Sequence, residues 1–256
     1  MSAHLLAIDI GNSQTTIGLF DGSKLIEQWR ISTRVVRTAD EVWLLYSQLL
    51  NTCGYATESI KQVAIASVVP EQTDAYVKAS ANRLKHEPLV ISHRNVKILR
   101  VDYEPPSSVG ADRLCGAVAA FKLYDGPVIV VDLGTATVFD VVTADAVYTG
   151  GLIAPGVSTA IDSLHHSTAL LPRVDLEFPE QVIGRTTESA IRSGILLGAV
   201  AMIDGIVARI RQQLGIDAPV VATGGFSGLL EKHSTAIQYV EPDLVLHGIR
   251  IIAESQ

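Results

Sequence analysis

Two segments of the chain combine an apolar strand with an acidic residue, a glycine and then hydroxyl side chains. Residues 5–16 read Leu-Leu-Ala-Ile-Asp-Ile-Gly-Asn-Ser-Gln-Thr-Thr, and residues 128–137 read Val-Ile-Val-Val-Asp-Leu-Gly-Thr-Ala-Thr. In each segment a buried strand places a carboxylate at its end. The glycine then lets the backbone turn closely enough for N–H groups and hydroxyls to face phosphate oxygens. This combination predicts a site for a nucleotide and its metal ion.

A single turn of this kind is weak evidence, because Asp-x-Gly also occurs in ordinary hairpins and an ordinary turn explains either copy alone. The two copies are, however, followed by similar elements. The pattern predicts strands over residues 15–20 and 24–31 after Asp9, and over residues 137–142 and 147–153 after Asp132, with turns at Asp21-Gly22 and Ala144-Asp145. This repetition resembles the duplicated ribonuclease-H-like fold of the acetate kinase, sugar kinase, Hsp70 and actin superfamily.

The resemblance implies an α/β protein of two ribonuclease-H-like domains, each with a mixed sheet, and a cleft between them. In that superfamily the two acidic turns face each other across the cleft and hold the ATP phosphates. The Pro-rich stretch at residues 100–109 cannot continue a helix or a central strand. We therefore expect an N-terminal domain over residues 1–109 and a C-terminal domain over residues 110–256.

The elements that must position these turns follow from caps and periodicity. Thr38 and Glu41 form a capping box and predict a helix from Ala39 to Thr52. Other predicted elements are strands over residues 62–69, 88–92 and 219–222, and helices over residues 73–85, 110–123 and 187–214. On the last helix, Gly194 and Gly198 permit close approach of another helix. Packing within the chain is the simpler explanation, and a subunit interface is the alternative.

Composition narrows the class of ligand. The chain has 256 residues, of which 48% are hydrophobic, and 27 acidic residues against 20 basic ones give a net charge of −7. Such a chain forms a compact globular protein, and its charge provides no general attraction to nucleic acid or to an anionic membrane. We expect small-molecule ligands, with no nucleic acid and no membrane as partners.

Cysteine usage and the N-terminus predict the compartment. Cys53 and Cys115 lie far apart and outside any Cys-x-x-Cys spacing, which argues against a disulfide framework or zinc site and favours a reducing compartment. The first core strand begins so early that we expect no signal peptide. The apolar stretch at residues 195–203 is about half the length needed to span a bilayer. We therefore predict a soluble, cytoplasmic protein.

A third chemical motif, Gly110-Ala111-Asp112-Arg113, begins a helix directly after the Pro-rich stretch. It is explained equally well as a helix N-terminus at which Asp112 complements the dipole and Arg113 is solvated. Its position between two phosphate-binding turns favours a chemical role. The Asp112 carboxylate could accept the proton of an acceptor hydroxyl, and the Arg113 guanidinium could pair with an anionic substrate or the transferring phosphate.

These motifs together are similar to those of the type III pantothenate kinase family, in order and in approximate spacing. The matching segments are 9–12 (Asp-Ile-Gly-Asn), 37–41 (Arg-Thr-Ala-Asp-Glu), 110–113, 132–137, 150–156 (Gly-Gly-Leu-Ile-Ala-Pro-Gly), 183–187 (Ile-Gly-Arg-Thr-Thr) and 222–225 (Ala-Thr-Gly-Gly). The resemblance implies transfer of the ATP γ-phosphoryl group to pantothenate, the first step of coenzyme A synthesis. It also implies a homodimer that uses Mg²⁺ with ATP and a monovalent cation, K⁺ or NH₄⁺.

The resemblance assigns roles to individual positions. It makes Asp112 the catalytic proton acceptor and Asp132 the ligand of the monovalent cation. The ATP-binding residues are Asp9, Ile10, Gly11, Asn12, Ser13, Gln14, Thr15, Thr16 and Thr135. The pantothenate-binding residues are Tyr103, Gly110, Ala111, Asp112, Arg113 and, near the dimer interface, Thr187. Residues 104–108 (Glu-Pro-Pro-Ser-Ser) depart from the Asp-Asn-Pro-Arg-Glu loop usual in the family and lack its arginine.

Other polar residues have simpler explanations. His165 and His166 are adjacent on a predicted helix and so face different directions, which favours a surface pair over a metal site. Gly224-Gly225 is a common kind of turn, for which the superfamily suggests a place near adenine. Asp140 either supports the metal region or ends a sheet face, and the sequence leaves both open.

Two other functions remain compatible with the same fold, since a fold does not determine a function. One is a nucleotide-binding accessory factor for transcription, and the other is an acyl-phosphate kinase or phosphatase. A kinase acting on an alcohol needs a base, which a regulator does not. The pair Asp112-Arg113 therefore favours the kinase.

Overall fold

A computed structural model describes residues 4–168 and 171–256. The strands are β1 (His4–Ile10), β2 (Gln14–Asp21), β3 (Lys24–Ser32), β4 (Ile60–Ser67), β5 (Leu89–Val90), β6 (Arg100–Val101), β7 (Val128–Leu133), β8 (Ala136–Val142), β9 (Val147–Pro155), β10 (Val220–Thr223) and β11 (Tyr239–Val240). The α-helices are α1 (Ala39–Thr52), α2 (Pro70–Ala79), α3 (Ala111–Tyr124), α4 (Val157–Ser167), α5 (Thr187–Leu214), α6 (Ser227–Leu230) and α7 (Leu244–Glu254).

These elements divide into two compact units. Unit 1 contains the described residues up to Leu123, together with Ala146–Tyr148 and Asp243–Gln256, and unit 2 contains Tyr124–Asp145 and Thr149–Pro242. Unit 1 thus includes α3 and α7, which lie C-terminal to the predicted division after residue 109. The predicted division separates the two copies of the repeated motif, whereas the two units are defined by their compactness. The predicted division therefore stays a prediction.

Unit 1 is built on a mixed sheet with the strand order β3-β2-β1-β4-β5. The first three strands are antiparallel neighbours, whereas β4 and β5 run parallel to β1. Alternate residues of β1, including Leu6 and Ile8, pack in one cluster with Tyr46 of α1 and Tyr76 of α2. The mixed sheet covered by helices that the sequence predicts is therefore confirmed.

The helix caps of unit 1 show both a success and an error of prediction. At α1 the Thr38 N–H donates to Glu41 Oε2 at 2.7 Å, and the Glu41 N–H donates to Thr38 Oγ1 at 3.3 Å, so the predicted capping box forms. The next helix was expected to begin at Thr73, but α2 begins at Pro70. Proline suits the first turn of a helix, because its missing N–H is not needed there.

Unit 2 contains a sheet with the order β11-β10-β7-β8-β9, in which β7 and β8 are antiparallel and β10 is parallel to β7. Its long helix α5 has the predicted bounds and 28 residues. By length and composition α5 is the one described helix that could cross a membrane. Its residues Leu196, Ile203 and Val207, however, share a buried cluster with Ile129 and Phe139 of the sheet. This face of α5 therefore packs against the sheet of unit 2.

The C-terminal helix α7 packs into unit 1, an arrangement that was not predicted from the sequence. Gln62 of β4 donates from Nε2 to the Ala253 carbonyl at 3.2 Å. At Gly248 the backbone lies so close to α3 that an added Cβ would lie within 1.9 Å of the Cys115 carbonyl oxygen. The contact between α7 and α3 therefore depends on the absence of a side chain at residue 248.

We predict that Gly248→Ala lowers the free energy of unfolding by about 1–3 kcal/mol, because the new methyl group forces the two helices apart. Gly228→Ala is the matched control, since residue 228 is an exposed glycine of the short helix α6 whose added Cβ would meet no described heavy atom within 4 Å. That control is expected to raise stability by up to about 1 kcal/mol through helix propensity. Urea denaturation of both variants measures the difference, and equal shifts would contradict the packing argument.

Candidate active site

The first acidic turn connects β1 to β2. Asp9 pairs with Thr16 across the hairpin, and the Gly11 N–H closes the turn by donating to the Gln14 carbonyl at 3.1 Å. The side chains of residues 12–14 are exposed, and Asp9 and Thr16 are partly exposed. The turn thus presents amide and hydroxyl groups to solvent at the end of a buried strand, and one oxygen of the Asp9 carboxylate is buried.

Two residues that the sequence assigned to ATP binding have buried side chains. Ile10 is 0% exposed, and its carbonyl accepts a hydrogen bond from the Val68 N–H at 3.1 Å. Thr15 is 1% exposed, and its hydroxyl lies 2.8 Å from the hydroxyl of Thr33. The Thr33 N–H also donates to the Ser13 carbonyl at 3.1 Å. The side chains of Ile10 and Thr15 therefore support the turn from inside.

The second acidic turn, between β7 and β8, repeats this geometry in unit 2. Asp132 pairs with Val138, and the Gly134 N–H donates to the Ala136 carbonyl at 3.0 Å. Leu133 pairs with Thr137, so this turn is one residue shorter than the first, in which Ile10 pairs with Thr15. Thr137 is 1% exposed, as Thr15 is. The duplication inferred from the sequence thus extends to the hydrogen bond that closes each turn.

Two glycines bring other segments of unit 2 close to the second turn. An added Cβ at Gly224, whose φ is +87°, would lie 2.5 Å from Asp132 Oδ1. An added Cβ at Gly156 would lie within 2.5 Å of the Thr135 carbonyl oxygen. That carbonyl accepts hydrogen bonds from the Gly156 N–H at 3.1 Å and from the Thr159 hydroxyl at 2.6 Å. The backbone of Thr135 is fixed in this way, and its side chain remains exposed.

Asp112 lies in the first turn of α3, in unit 1. Burial raises the pKa of its carboxyl, against the opposing effects of the Arg113 N–H, which donates to Asp112 Oδ1 at 2.7 Å, and of the Arg113 charge. Burial also raises the pKa of Cys115, one helical turn further on, with smaller contributions from the Asp9 and Asp112 carboxylates. The helix therefore holds a carboxylate of increased basicity, and the buried thiol near it is neutral.

Arg113 lies close to two tyrosine rings. Its guanidinium carbon is 5.9 Å from the centre of the Tyr103 ring and 6.0 Å from that of Tyr148, within the range of cation–π attraction. The two ring centres are 6.3 Å apart. Tyr103 and Arg113 were predicted from the sequence to act together, and the structure brings them together in unit 1. Tyr148 was not predicted, although an aromatic residue two positions before Gly150-Gly151 was visible in the sequence.

The remaining predicted substrate residue, Thr187, is in unit 2 and is exposed at the start of α5. The hydroxyl of the preceding Thr186 caps this helix by accepting from the Ser189 N–H at 3.1 Å. Thr187 lies at the edge of a groove of about 550 Å³ that is lined mainly by apolar residues. The groove residues are Leu164, Leu171, Thr187, Ala190, Ile191, Gly194 and Ile195.

Gly194 and Gly198 of α5 do not allow another helix of the described chain to pack closely, which was the simpler of the two explanations. Added Cβ atoms at Gly194 and Gly198 would meet no described heavy atom within 4 Å, so these glycines serve no close packing within the described chain. The alternative, a subunit interface, stays a prediction.

The histidine pair agrees with the simpler interpretation. His165 and His166 are exposed, and their Nδ1 atoms lie 2.9 Å and 2.7 Å from the carbonyl oxygens of Leu171 and Asp162. Within residues 4–168 and 171–256, His, Cys, Asp and Glu side chains form no group of three that could hold a metal ion. Asp140 is 2% exposed on β8, which leaves its role open.

Solved structures with a similar fold come from several functional classes. A Campylobacter jejuni protein assigned to the Baf family of transcriptional activators matches with a TM-score of 0.61, at 18% identity, over 98% of each chain. Component A of (R)-2-hydroxyglutaryl-CoA dehydratase from Acidaminococcus fermentans matches with a TM-score of 0.51, at 14% identity, over 98% of this chain and 96% of that one. These likenesses support the fold, which is the duplicated ribonuclease-H-like fold expected from the sequence.

Sequence relatives are much more similar. The type III pantothenate kinase of Moorella thermoacetica is 41% identical over 98% of both chains. That of Paramagnetospirillum magneticum is 44% identical over 96% of this chain and 95% of its own length. The family model described as type III pantothenate kinase matches residues 5–209. Since these matches cover both acidic turns and the Asp112 motif, the chain belongs to the type III pantothenate kinase family.

Proposed function

We propose that this chain catalyses ATP-dependent phosphorylation of pantothenate to 4′-phosphopantothenate, the first step of coenzyme A biosynthesis. The main structural support is Asp112, a carboxylate with a raised pKa at a helix start beside Arg113. The relatives whose matches span this part of the chain are named type III pantothenate kinases. A regulator would not need such a base, which argues against the transcriptional alternative.

Asp112 is the general base in this proposal. A carboxylate with a raised pKa removes a proton from an alcohol more readily than an ordinary carboxylate does, provided that it is ionised at the working pH. It accepts the proton of the pantothenate hydroxyl as that oxygen attacks the γ-phosphorus of ATP. The neighbouring Arg113 then pairs with negative charge, either on the pantothenate carboxylate or on the phosphoryl group. We assign Tyr103, Gly110 and Ala111 to the same substrate site.

The two acidic turns bind ATP in this proposal. Asn12, Ser13 and Gln14 contribute backbone N–H groups and exposed polar side chains, and Thr135 contributes its exposed hydroxyl. Gly11 lets the backbone turn close to the phosphates, and its own N–H closes the turn. Asp9 and Thr16, both partly exposed, complete the first turn, while Ile10 and Thr15 hold its backbone.

The residues present suit both implied cations, Mg²⁺ and the monovalent ion. Asp9 is a partly exposed carboxylate, a hard oxygen ligand of the type that Mg²⁺ prefers when it binds together with phosphates. Asp132 likewise supplies an oxygen, and Gly224 leaves open the space that a Cβ would fill only 2.5 Å from that oxygen. We therefore assign K⁺ or NH₄⁺ to Asp132. When bound, these ions neutralise phosphate charge.

We further propose that the enzyme is a cytoplasmic homodimer without nucleic-acid or membrane partners. Two features of α5 support an interface there. They are the groove beside Thr187 and the helix face that carries Gly194 and Gly198, and the described chain fills neither. In this arrangement Thr187 completes the substrate site of the neighbouring subunit.

The direct test of the function is release of ADP from ATP by the purified protein, with and without pantothenate. We expect ADP to form at a rate that depends on pantothenate, with 4′-phosphopantothenate as the second product detected by mass spectrometry. ATP hydrolysis that is unaffected by pantothenate would contradict the proposal.

We predict that Asp112→Asn lowers kcat by about 10²- to 10⁴-fold, the usual cost of removing a general base, while ATP affinity changes little. Calorimetric titration with a non-hydrolysable ATP analogue measures the affinity. Asp74→Asn is the matched control, since it removes an exposed carboxylate of α2 that pairs with Lys78 at 2.6 Å, and it should retain full turnover. Near-normal turnover by the Asp112 variant would show that another group is the base.

We predict that replacing K⁺ by Na⁺ at constant ionic strength lowers kcat/KM steeply, because the site assigned to Asp132 is expected to select for ionic size. ADP is quantified directly by chromatography, so that no coupling enzyme responds to the cation. Choline chloride serves as the control for ionic strength alone. Equal rates in the potassium and sodium salts would remove the cation assignment.

We predict that a mixture of Asp112→Asn and Thr187→Ala subunits regains activity that neither variant has alone. If Thr187 acts in the neighbouring subunit, one site of each mixed dimer contains both intact residues. Chains with different affinity tags are used to prove that subunits exchange. If exchange occurs and the two separate variants are nearly inactive, a mixture without activity would mean that each site is built within one chain.

A further inference from the structure

Tyr148 is a buried aromatic residue of unit 1 to which no role has yet been given. It is 0% exposed, and the Arg113 guanidinium lies 6.0 Å from the centre of its ring. Arg113 itself is only partly buried. A partly buried cation next to a fully buried ring makes a stronger cation–π contact than an exposed pair does, because less water competes for the charge.

The backbone of Tyr148 also positions the segment that leads to Tyr103. Residues 147 and 148 pair with β6 in a short parallel ladder, in which Val101 is the partner of Tyr148. The Asp102 N–H, immediately after β6, donates to the Tyr148 carbonyl at 2.9 Å. Tyr103 follows directly, and its ring centre lies 6.3 Å from that of Tyr148. One residue thus contacts Arg113 through its side chain and fixes the approach of Tyr103 through its backbone.

We infer that Tyr148 is a positioning residue for pantothenate recognition, which holds the Arg113 guanidinium and the Tyr103 ring in one arrangement before the substrate arrives. This inference rests on the proposed function. A long arginine side chain loses rotamer freedom when it binds an anion, and this loss costs free energy. If an aromatic neighbour already restricts the side chain in the free protein, part of that cost no longer opposes binding. Tyr148 does not contact the reacting atoms, so its effect appears in substrate binding rather than in phosphoryl transfer.

The test compares Tyr148→Leu with Tyr148→Phe. The leucine variant removes the ring, whereas the phenylalanine variant keeps the ring and loses only the hydroxyl. We expect Tyr148→Leu to raise the KM for pantothenate on the order of tenfold, with the KM for ATP and kcat within about twofold of the wild type. Tyr148→Phe should remain close to the wild type in all three constants.

A matched control is present in the same unit. Phe20, near the other end of the β1–β2 hairpin, is 0% exposed, and the Arg250 guanidinium lies 5.9 Å from the centre of its ring. Phe20→Leu removes a buried ring and a cation–π contact of the same length. It is expected to lower stability as Tyr148→Leu does, but to leave the KM for pantothenate unchanged.

A purely structural role for Tyr148 predicts a different outcome. Tyr148→Leu would then lower stability as Phe20→Leu does, with the two KM values unchanged or raised together. Either result would overturn the inference.

A second measurement separates this inference from the proposed function. The measurement is a double-mutant cycle of Tyr148→Leu with Arg113→Ala, read from the equilibrium constant of unfolding. We expect the constant of the double variant to differ about fivefold from the product of the two single effects, which is the size of a partly desolvated cation–π contact. If the wild type fails to phosphorylate pantothenate, the proposed function is wrong, and the cycle still decides whether Tyr148 holds Arg113. Additive effects in the cycle would overturn that contact whatever the activity.

Discussion

The hydrogen bond that closes each glycine turn is the interaction on which the proposed site depends. In both units an N–H of glycine donates to a carbonyl across the turn, at 3.1 Å for Gly11 and 3.0 Å for Gly134. Because this bond fixes where the hairpin reverses, it also fixes the register that pairs Asp9 with Thr16 and Asp132 with Val138. A slip of one residue would turn each carboxylate to the opposite face of its sheet. Buried Thr15 and Thr137, at matching positions behind the turns, are consistent with the same constraint in both copies.

The position of Asp112 sets two physical effects against each other. The N-terminus of a helix favours a negative charge, typically by about 0.3–1 kcal/mol, whereas burial can raise the pKa of a carboxyl by several units. Burial is the larger effect here, and the pKa is raised although the Arg113 N–H and charge lower it. Partial desolvation of a carboxylate costs folding free energy. The structure thus bears a local cost at the residue that we propose as the general base, and functional sites often carry such costs.

The features predictable from the sequence were those set by neighbours in the chain. The capping box of α1, the bounds of α5 and both glycine turns depend on residues a few positions apart, and all were expected. Tyr148 and α7 were not predicted. The role of Tyr148 depends on its pairing with Val101, a contact between distant segments that no local pattern encodes. The helix α7 does show helical periodicity, with Leu244, Ile249 and Ile252 buried on one face, so its existence was predictable but its partner was not.

The packing of α7 makes unit 1 discontinuous, with unit 2 inserted between its parts. The hydrogen bond from Gln28 to Asp243, for example, joins residues 215 positions apart. During synthesis the N-terminal sheet therefore emerges from the ribosome long before the helix that covers part of it. Until α7 is complete, the surfaces of Gly18 and Cys115 that it contacts lack their partner, whereas the segments of unit 2 are already available. Unit 2 can thus fold while unit 1 still lacks α7. Unit 1, which contains the first part of the chain to be synthesised, is therefore the last to finish folding.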